Sequence, residues 1–251
     1  MSDGMSKSQK RAATAAALRE EQQRRENRRR LITIGAVLAA MVLIVGGAIL
    51  VSKLQSDKQQ SDLESAVPPA GSSANGVTIG PDSAPHTVVI YEDFLCPFCG
   101  ELEHQTHAKL AELAADGKVQ VEYRPFDLLG GGNPESYSER SLNAFAAVLD
   151  SAGPEAAKKM HDLLYENQPS ESGPFPSDDD LLALAVQAGA SESQVKDDIE
   201  NGGQQDFVDQ ATAAAQKAGV KSTPTVLVDG KLQTGFSTVD DLATQLLQEV
   251  G

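Results

Sequence analysis

Four kinds of pattern succeed one another along the chain. Residues 1–30 are polar and basic. Leu31–Val51 reads LITIGAVLAAMVLIVGGAILV, with no charged residue. Ser52–Asn75 is rich in Ser, Gln, Asp, Pro, Ala and Gly and has no apolar periodicity, and order is expected to begin near Gly76. At ~1.5 Å rise per residue, a helix over residues 31–51 reaches roughly 30 Å, the thickness of a bilayer's hydrocarbon core. A core helix of that length would carry a polar stripe, and this segment carries none, so it predicts a transmembrane helix. It is too long for the apolar region of a cleaved signal peptide. No good cleavage site follows in SKLQSDKQQ, and no Cys lies near enough to take a lipid, so the segment predicts an uncleaved anchor. The stretch 52–75 then predicts a flexible tether.

Beyond the tether the spacings are those of packed elements. Thr87–Phe94 is a β-rich apolar run and predicts a central strand. A helix is expected from Cys96 to about Ala115, because Pro97 suits a first turn and Gly117 lies just past the end. Val119–Arg124 alternates apolar and polar residues, as a strand does. Residues 136–218 have helical character nearly throughout, in segments near Ser138–Ser151, Glu155–Asn167, Asp178–Ala188, Ser191–Asn201 and Asp206–Ala218, divided by Gly and Pro. Thr225–Val228 predicts a short strand, Asp229-Gly230 a hairpin turn, Lys231–Thr234 the return strand, and Val239–Val250 a closing helix. There is no internal repeat.

Charge divides the chain at the same boundary. Nine Lys and Arg against four acidic residues give residues 1–30 a charge of +5, so the total of -15 leaves -20 on residues 31–251. So acidic a body excludes a nucleic-acid binder, which needs clustered Lys and Arg against phosphate. Arg24, Arg25, Arg28, Arg29 and Arg30 abut the apolar segment on one side, and Lys53 stands nearly alone on the other. The positive-inside rule therefore keeps the N-terminus cytoplasmic and puts residues 52–251 outside the cell membrane. With no Trp and 4% aromatic residues, the core must be built mainly from Ala, Val, Leu and Ile.

The chain has two cysteines, in Cys96-Pro97-Phe98-Cys99. A structural staple seldom joins residues so close, since the loop it closes constrains the unfolded chain little. Two Cys are too few for a four-ligand zinc site unless His completes it. His104 and His107 follow on the same predicted helix, but at about 100° per residue they and the cysteines do not converge, so no metal is expected. Redox chemistry does fit a CxxC at the start of a helix after a strand. The unpaired N–H groups and positive dipole end favour the thiolate of Cys96, the nucleophile, while Cys99 sits one turn deeper and can resolve a mixed disulfide. Thr223-Pro224-Thr225 stands at the start of the Thr225–Val228 strand, where proline cannot donate a ladder bond. A cis Thr223–Pro224 bond would turn the Thr223 backbone toward the cysteines and offer an edge to an extended peptide. Asp178-Asp-Asp180 is expected to be the acidic first turn of a helix, and Gly130-Gly-Gly132 a flexible loop.

The order β-α-β, helical block, β-β-α is an α/β, thioredoxin-like plan with a helical insertion at about 136–218, preceded by one transmembrane helix. Tyr91-Glu-Asp-Phe-Leu-Cys-Pro-Phe-Cys-Gly100, the helical block and Thr223-Pro224-Thr225 together resemble the DsbA family of thiol:disulfide oxidoreductases, and more closely its membrane-tethered, single-domain actinobacterial forms. The resemblance runs from about Gly76 to the C-terminus. It implies a redox-active Cys96–Cys99 disulfide as the sole redox group, a loop at Pro224, and substrate contacts from Thr223, Pro97 and Phe98. It implies donation of the disulfide to reduced exported polypeptides and reoxidation by a quinone-linked membrane oxidase of the DsbB or VKOR kind. Two departures stand out. Many thioredoxin-like proteins place a buried acid six residues before the first Cys, where this chain has Ile90, though Glu92 and Asp93 lie nearby. DsbA-type enzymes often have His where this chain has Phe98, so a less extreme oxidant, or one relying more on the helix N-terminus, is expected. Three functions stay open from the residues alone: an oxidase, a reductase or isomerase running the same exchange backwards, and a redox-inert tethered module.

Overall fold

A computed structural model describes residues 75–251; the basic segment, the apolar segment 31–51 and the linker through residue 74 lie outside the described residues. In chain order the elements are β1 (Val77–Ile79), β2 (His86–Glu92), α1 (Pro97–Ala115), β3 (Val119–Pro125), α2 (Tyr137–Glu166), α3 (Asp178–Ala188), α4 (Glu192–Asn201), α5 (Gln205–Lys217), β4 (Thr225–Val228), β5 (Lys231–Leu232) and α6 (Val239–Val250). This is the expected thioredoxin-like α/β order, with α2–α5 inserted between β3 and β4. Among the described residues no helix is long and apolar enough to cross a membrane.

The five strands lie in the order β1-β3-β2-β4-β5, so the apolar run before the cysteines is the middle of the sheet. β2 pairs parallel with β3, Val88 opposite Val121, and antiparallel with β4, Ile90 opposite Val226. Successive strand side chains point to opposite faces. Val88 and Ile90 accordingly join Val121, Val226 and Val228 in the main core with residues of α1, α2 and α6, whereas Val89 and Tyr91 join Leu227 in a smaller core with Ala211 and Ala215 of α5. Both faces are covered, which is why β2 reads as an unbroken apolar run rather than an alternating one.

Two boundaries differ from expectation, and a helical break falls where it was expected. β1, unanticipated, is a short edge strand antiparallel to β3. The return strand β5 stops at Leu232 instead of Thr234. The helices expected near Ser138–Ser151 and Glu155–Asn167 are both present, carried under the single label α2, and they meet at the expected break, where Gly153 takes φ 82° ahead of Pro154. Proline removes one helical N–H and glycine absorbs the left-handed backbone, so the axis turns there while the chain stays helical on both sides. Ser136 caps α2 by accepting the Glu139 N–H, and capping boxes start α3 (Ser177 with Asp180) and α6 (Thr238 with Asp241). Asp178, Asp179 and Asp180 form the acidic first turn of α3, as expected.

Phe145, fully buried on α2, ties the insertion to the strand end below the cysteines: its ring lies 5.8 Å from that of Phe94 and 6.3 Å from that of Phe207. Phe145→Ala is expected to destabilise the protein by about 3–5 kcal/mol through lost burial and the cavity left behind. Urea unfolding of the full chain measures it.

Candidate active site

β2 ends at Glu92, and the next residues are held by one carboxylate. Asp93, fully buried, accepts the Leu95 N–H (2.8 Å) and the Ser138 hydroxyl (2.8 Å) on Oδ1, and the Leu128 and Leu129 N–H groups (both 2.9 Å) on Oδ2. It thereby joins the turn into α1, the loop after β3 and the first turn of α2. From the far end of α2, Gln168 Nε2 donates to the carbonyls of Phe94 and Cys96, both at 2.9 Å. Gly100 makes room for this side chain, since a Cβ there would lie 2.3 Å from Gln168 Oε1.

Cys96 is the N-cap of α1 and Pro97 its first residue. Both thiols are free, Cys96 4% exposed and Cys99 2%. They differ in ionisation. Hydrogen bonding from Cys99 comes first among the causes that bring Cys96 down to about 6, and the Thr223 side chain and the backbone N–H groups of Cys99 and Phe98 add to it, against the effect of burial. Burial, together with hydrogen bonding to Cys96 and the charges of Cys96 and Glu92, pushes Cys99 well above the ordinary thiol range. One sulfur is thus a thiolate at neutral pH while its neighbour stays protonated.

The Thr223–Pro224 peptide is cis, and the Thr223 carbonyl oxygen lies 3.4 Å from Cys96 Sγ. The structure therefore gathers Cys96, Cys99, Pro97 and Thr223-Pro224 at one end of the sheet. Phe98 is 59% exposed beside them, the most exposed of the large apolar side chains among the described residues. His104 is exposed on α1, whereas His107 is half-buried.

A second cluster was not anticipated. Behind α1, Glu92 and His161 are both buried, and His161 Nε2 lies 2.7 Å from Glu92 Oε1. His161 Nδ1 is 2.9 Å from Asp162 Oδ1 and 3.8 Å from Glu103 Oε1, and Glu103 is 3.2 Å from His107 Nδ1. The Lys158 ammonium bonds Asp162 and lies 3.5 Å from Glu103. Glu103, His161 and Asp162 offer ligand atoms within 4.8 Å of one another, a set a metal could use, but Lys158 already serves as the cation between the two carboxylates. Burial opposes protonation of His161, yet Glu92 and Glu103 prevail and raise it to about 9; burial raises Glu92. The sequence signal was present but faint: an acid ending a buried strand run, and a His between Met160 and Leu164 on the apolar stripe of a helix.

Because His161 is raised from 6.5 to about 9, its contribution to stability is complete below pH 6.5 and is lost as pH rises through 9. Cys96, lowered when reduced, works in the opposite sense: its contribution is complete above about pH 9 and lost as pH falls through 6. The oxidised protein removes the second effect. Its unfolding free energy is expected to be lower at pH 9 than at pH 6.5, with a shallower fall in His161→Gln. Denaturant titrations at the two pH values measure both.

The family model described as Thioredoxin matches residues 72–248. A Na(+)/H(+) antiporter, NhaA 3, of Salinispora tropica is 27% identical over 67% of this chain, which spans only 24% of the antiporter's length. A probable disulfide bond formation protein D of Bacillus cereus is 27% identical over 62% of this chain and 70% of its own. The crystal structure of oxidised DsbA from Mycobacterium tuberculosis is 29% identical, covers 70% of this chain and 92% of its own, and superimposes with a TM-score of 0.56. Most of the chain falls under one family model, and the paired sulfurs face the loop before β4 as a thiol–disulfide exchange site requires. The chain belongs to the thioredoxin family, as an oxidoreductase of the DsbA type.

Proposed function

We propose that this chain is a membrane-anchored disulfide oxidase that donates its Cys96–Cys99 disulfide to reduced exported polypeptides. The carrying observation is the unequal ionisation of the two sulfurs: Cys96 lowered to about 6, Cys99 raised above an ordinary thiol. A substrate thiolate attacks Cys96 Sγ, forming a substrate–Cys96 bond and breaking Cys96–Cys99, and the released electron pair goes to Cys99, which takes a proton. A second substrate thiolate then attacks the substrate sulfur of the mixed disulfide and expels Cys96 as a stable thiolate. A low-pKa leaving sulfur speeds that release, and a protonated Cys99 is slow to recapture Cys96. Both effects favour donation. The Thr223 carbonyl gives an extended substrate a backbone partner beside Pro224, and Pro97 with the exposed Phe98 gives it an apolar ledge.

The N-terminal segments complete the reading. Leu31–Val51 would hold the domain in the cell membrane, the basic run keeping residues 1–30 cytoplasmic and 52–75 serving as the extracytoplasmic tether. A quinone-linked membrane oxidase of the DsbB or VKOR kind would restore the disulfide. The opposite direction, a reductase or isomerase, uses the same groups with a more reducing couple, and a redox-inert tethered module would need neither sulfur.

A first-cysteine pKa of about 6 lies between the values of about 7 for thioredoxin and about 3.5 for DsbA. The reduction potential is therefore expected between theirs, at about -150 to -220 mV, by equilibration with glutathione. A value at or below about -270 mV would favour the reductase. Cys96→Ser is expected to abolish oxidation of a reduced unfolded protein; retained function in that variant would point to the inert module. Phe98→His, which adds a positive charge next to Cys96, is expected to lower the Cys96 pKa and raise the potential, measured by thiolate absorbance against pH and by the same equilibration.

A further inference from the structure

Donation and reoxidation both require a proton to reach or leave a sulfur that is 2% exposed. The position six residues before Cys96, where an acid often serves this need, holds Ile90. Glu92 stands on the opposite face of β2 from its immediate neighbours in sequence, is 2% exposed, and its charge is felt by Cys99. Behind it ionisable groups lie within 4 Å of one another out to the surface, the links from His161 Nδ1 to Glu103 (3.8 Å) and from His107 Nδ1 to Asp162 (3.7 Å) being longer than hydrogen bonds. Glu92 Oε1 meets His161 Nε2 at 2.7 Å, His161 Nδ1 meets Asp162 at 2.9 Å, and Glu103 meets His107 at 3.2 Å. His107 has a side chain 43% exposed and, with Glu103, His104, Asp162, Tyr165 and Glu166, lines a surface pocket. The other groups around His161 are Lys158, whose ammonium bonds Asp162, and the rings of Tyr123, Tyr165 and Phe94 at 4.5, 5.1 and 5.9 Å. The rings close those sides and the Lys158 ammonium is taken up by Asp162 and Glu103, which leaves the carboxylates as the polar way out.

We propose that Glu92 and His161 carry the proton exchanged by Cys99, and that Asp162, Glu103 and His107 connect them to water at the pocket. The inference rests on the exchange chemistry proposed above. When a substrate thiolate displaces Cys99 from the disulfide, Cys99 Sγ leaves with the electron pair of the S–S bond and takes one proton from the Glu92–His161 pair. The pair recovers one proton from the solvent side. On reoxidation the same proton travels outward as Cys99 becomes thiolate and attacks. Glu92 and His161 are positioning and proton-holding groups here; the bonds that form and break are all at sulfur.

The test is rapid mixing of oxidised full-length protein with a reduced cysteine peptide, across pH 5–9, for wild type, His161→Gln and His107→Gln. His161→Gln is expected to slow the exchange about tenfold at the alkaline end, with the deficit shrinking toward pH 5, where water supplies protons readily. The pH at which Cys96 becomes alkylatable should not move. His107→Gln, at a half-exposed position, should give a smaller loss that imidazole buffer restores. Wild-type rates at every pH in folded variants would overturn the path, as would a pH-independent loss accompanied by a moved Cys96. If His161→Gln does not fold, His107→Gln and its rescue by buffer decide the question. A wild-type protein that fails to exchange with the peptide at all would instead overturn the oxidase reading beneath it.

Discussion

The structure depends on keeping two neighbouring sulfurs in opposite protonation states. Cys96 caps α1, where N–H groups without helical partners and a hydrogen bond from Cys99 stabilise a negative charge. Cys99 lies three residues further on, in the apolar face of the same helix with Leu102 and Leu110, where burial penalises a charge. No charged side chain next to Cys96 is needed for this division. Phe98 occupies the place where a histidine would help, and the thiol is still lowered by backbone geometry and its partner.

That geometry is held from several directions. The buried Asp93 carboxylate gathers N–H groups from the turn before Cys96 and from the loop after β3, and the Ser138 hydroxyl from α2. Gln168, just past the end of α2, fastens that helix to the carbonyls of Phe94 and Cys96. The insertion is therefore more than a decoration on the sheet. The first turn of α2 and the residues just past its end both grip the segment that presents Cys96, and Phe145 fills the space beneath. The cost is a concentration of buried charge behind α1, where Glu92, Glu103, Lys158, His161 and Asp162 satisfy one another instead of water.

Much of this was legible in the sequence, for reasons of period and punctuation. The β2 run, the alternation of Val119–Arg124, the Cys-Pro helix start and the Asp229-Gly230 turn are local signals, and each element stands within a residue or two of its expected place. The edge strand β1 was missed because three residues are too few to show a period, and the break in α2 reads from sequence as a gap between helices. The cysteine pair and the Thr223-Pro224 loop were legible because redox chemistry needs those residue types. The Glu92–His161 cluster was not. Its members are spread over β2, α1 and α2, Glu92 and His161 standing 69 positions apart, and only the fold brings an acid at a strand end against a histidine on a helix stripe. Residues 1–74, on which the anchor and tether were read, lie outside the described residues.

The division of charge between the sulfurs can be followed one cysteine at a time, by alkylating the reduced protein across pH and locating the label by peptide mass. Cys96 should react with a half-point near pH 6 and Cys99 not at all over the same range. A Cys96 that reacts like a free thiol, with a half-point near about 8.5, or labelling of both residues together, would contradict the account.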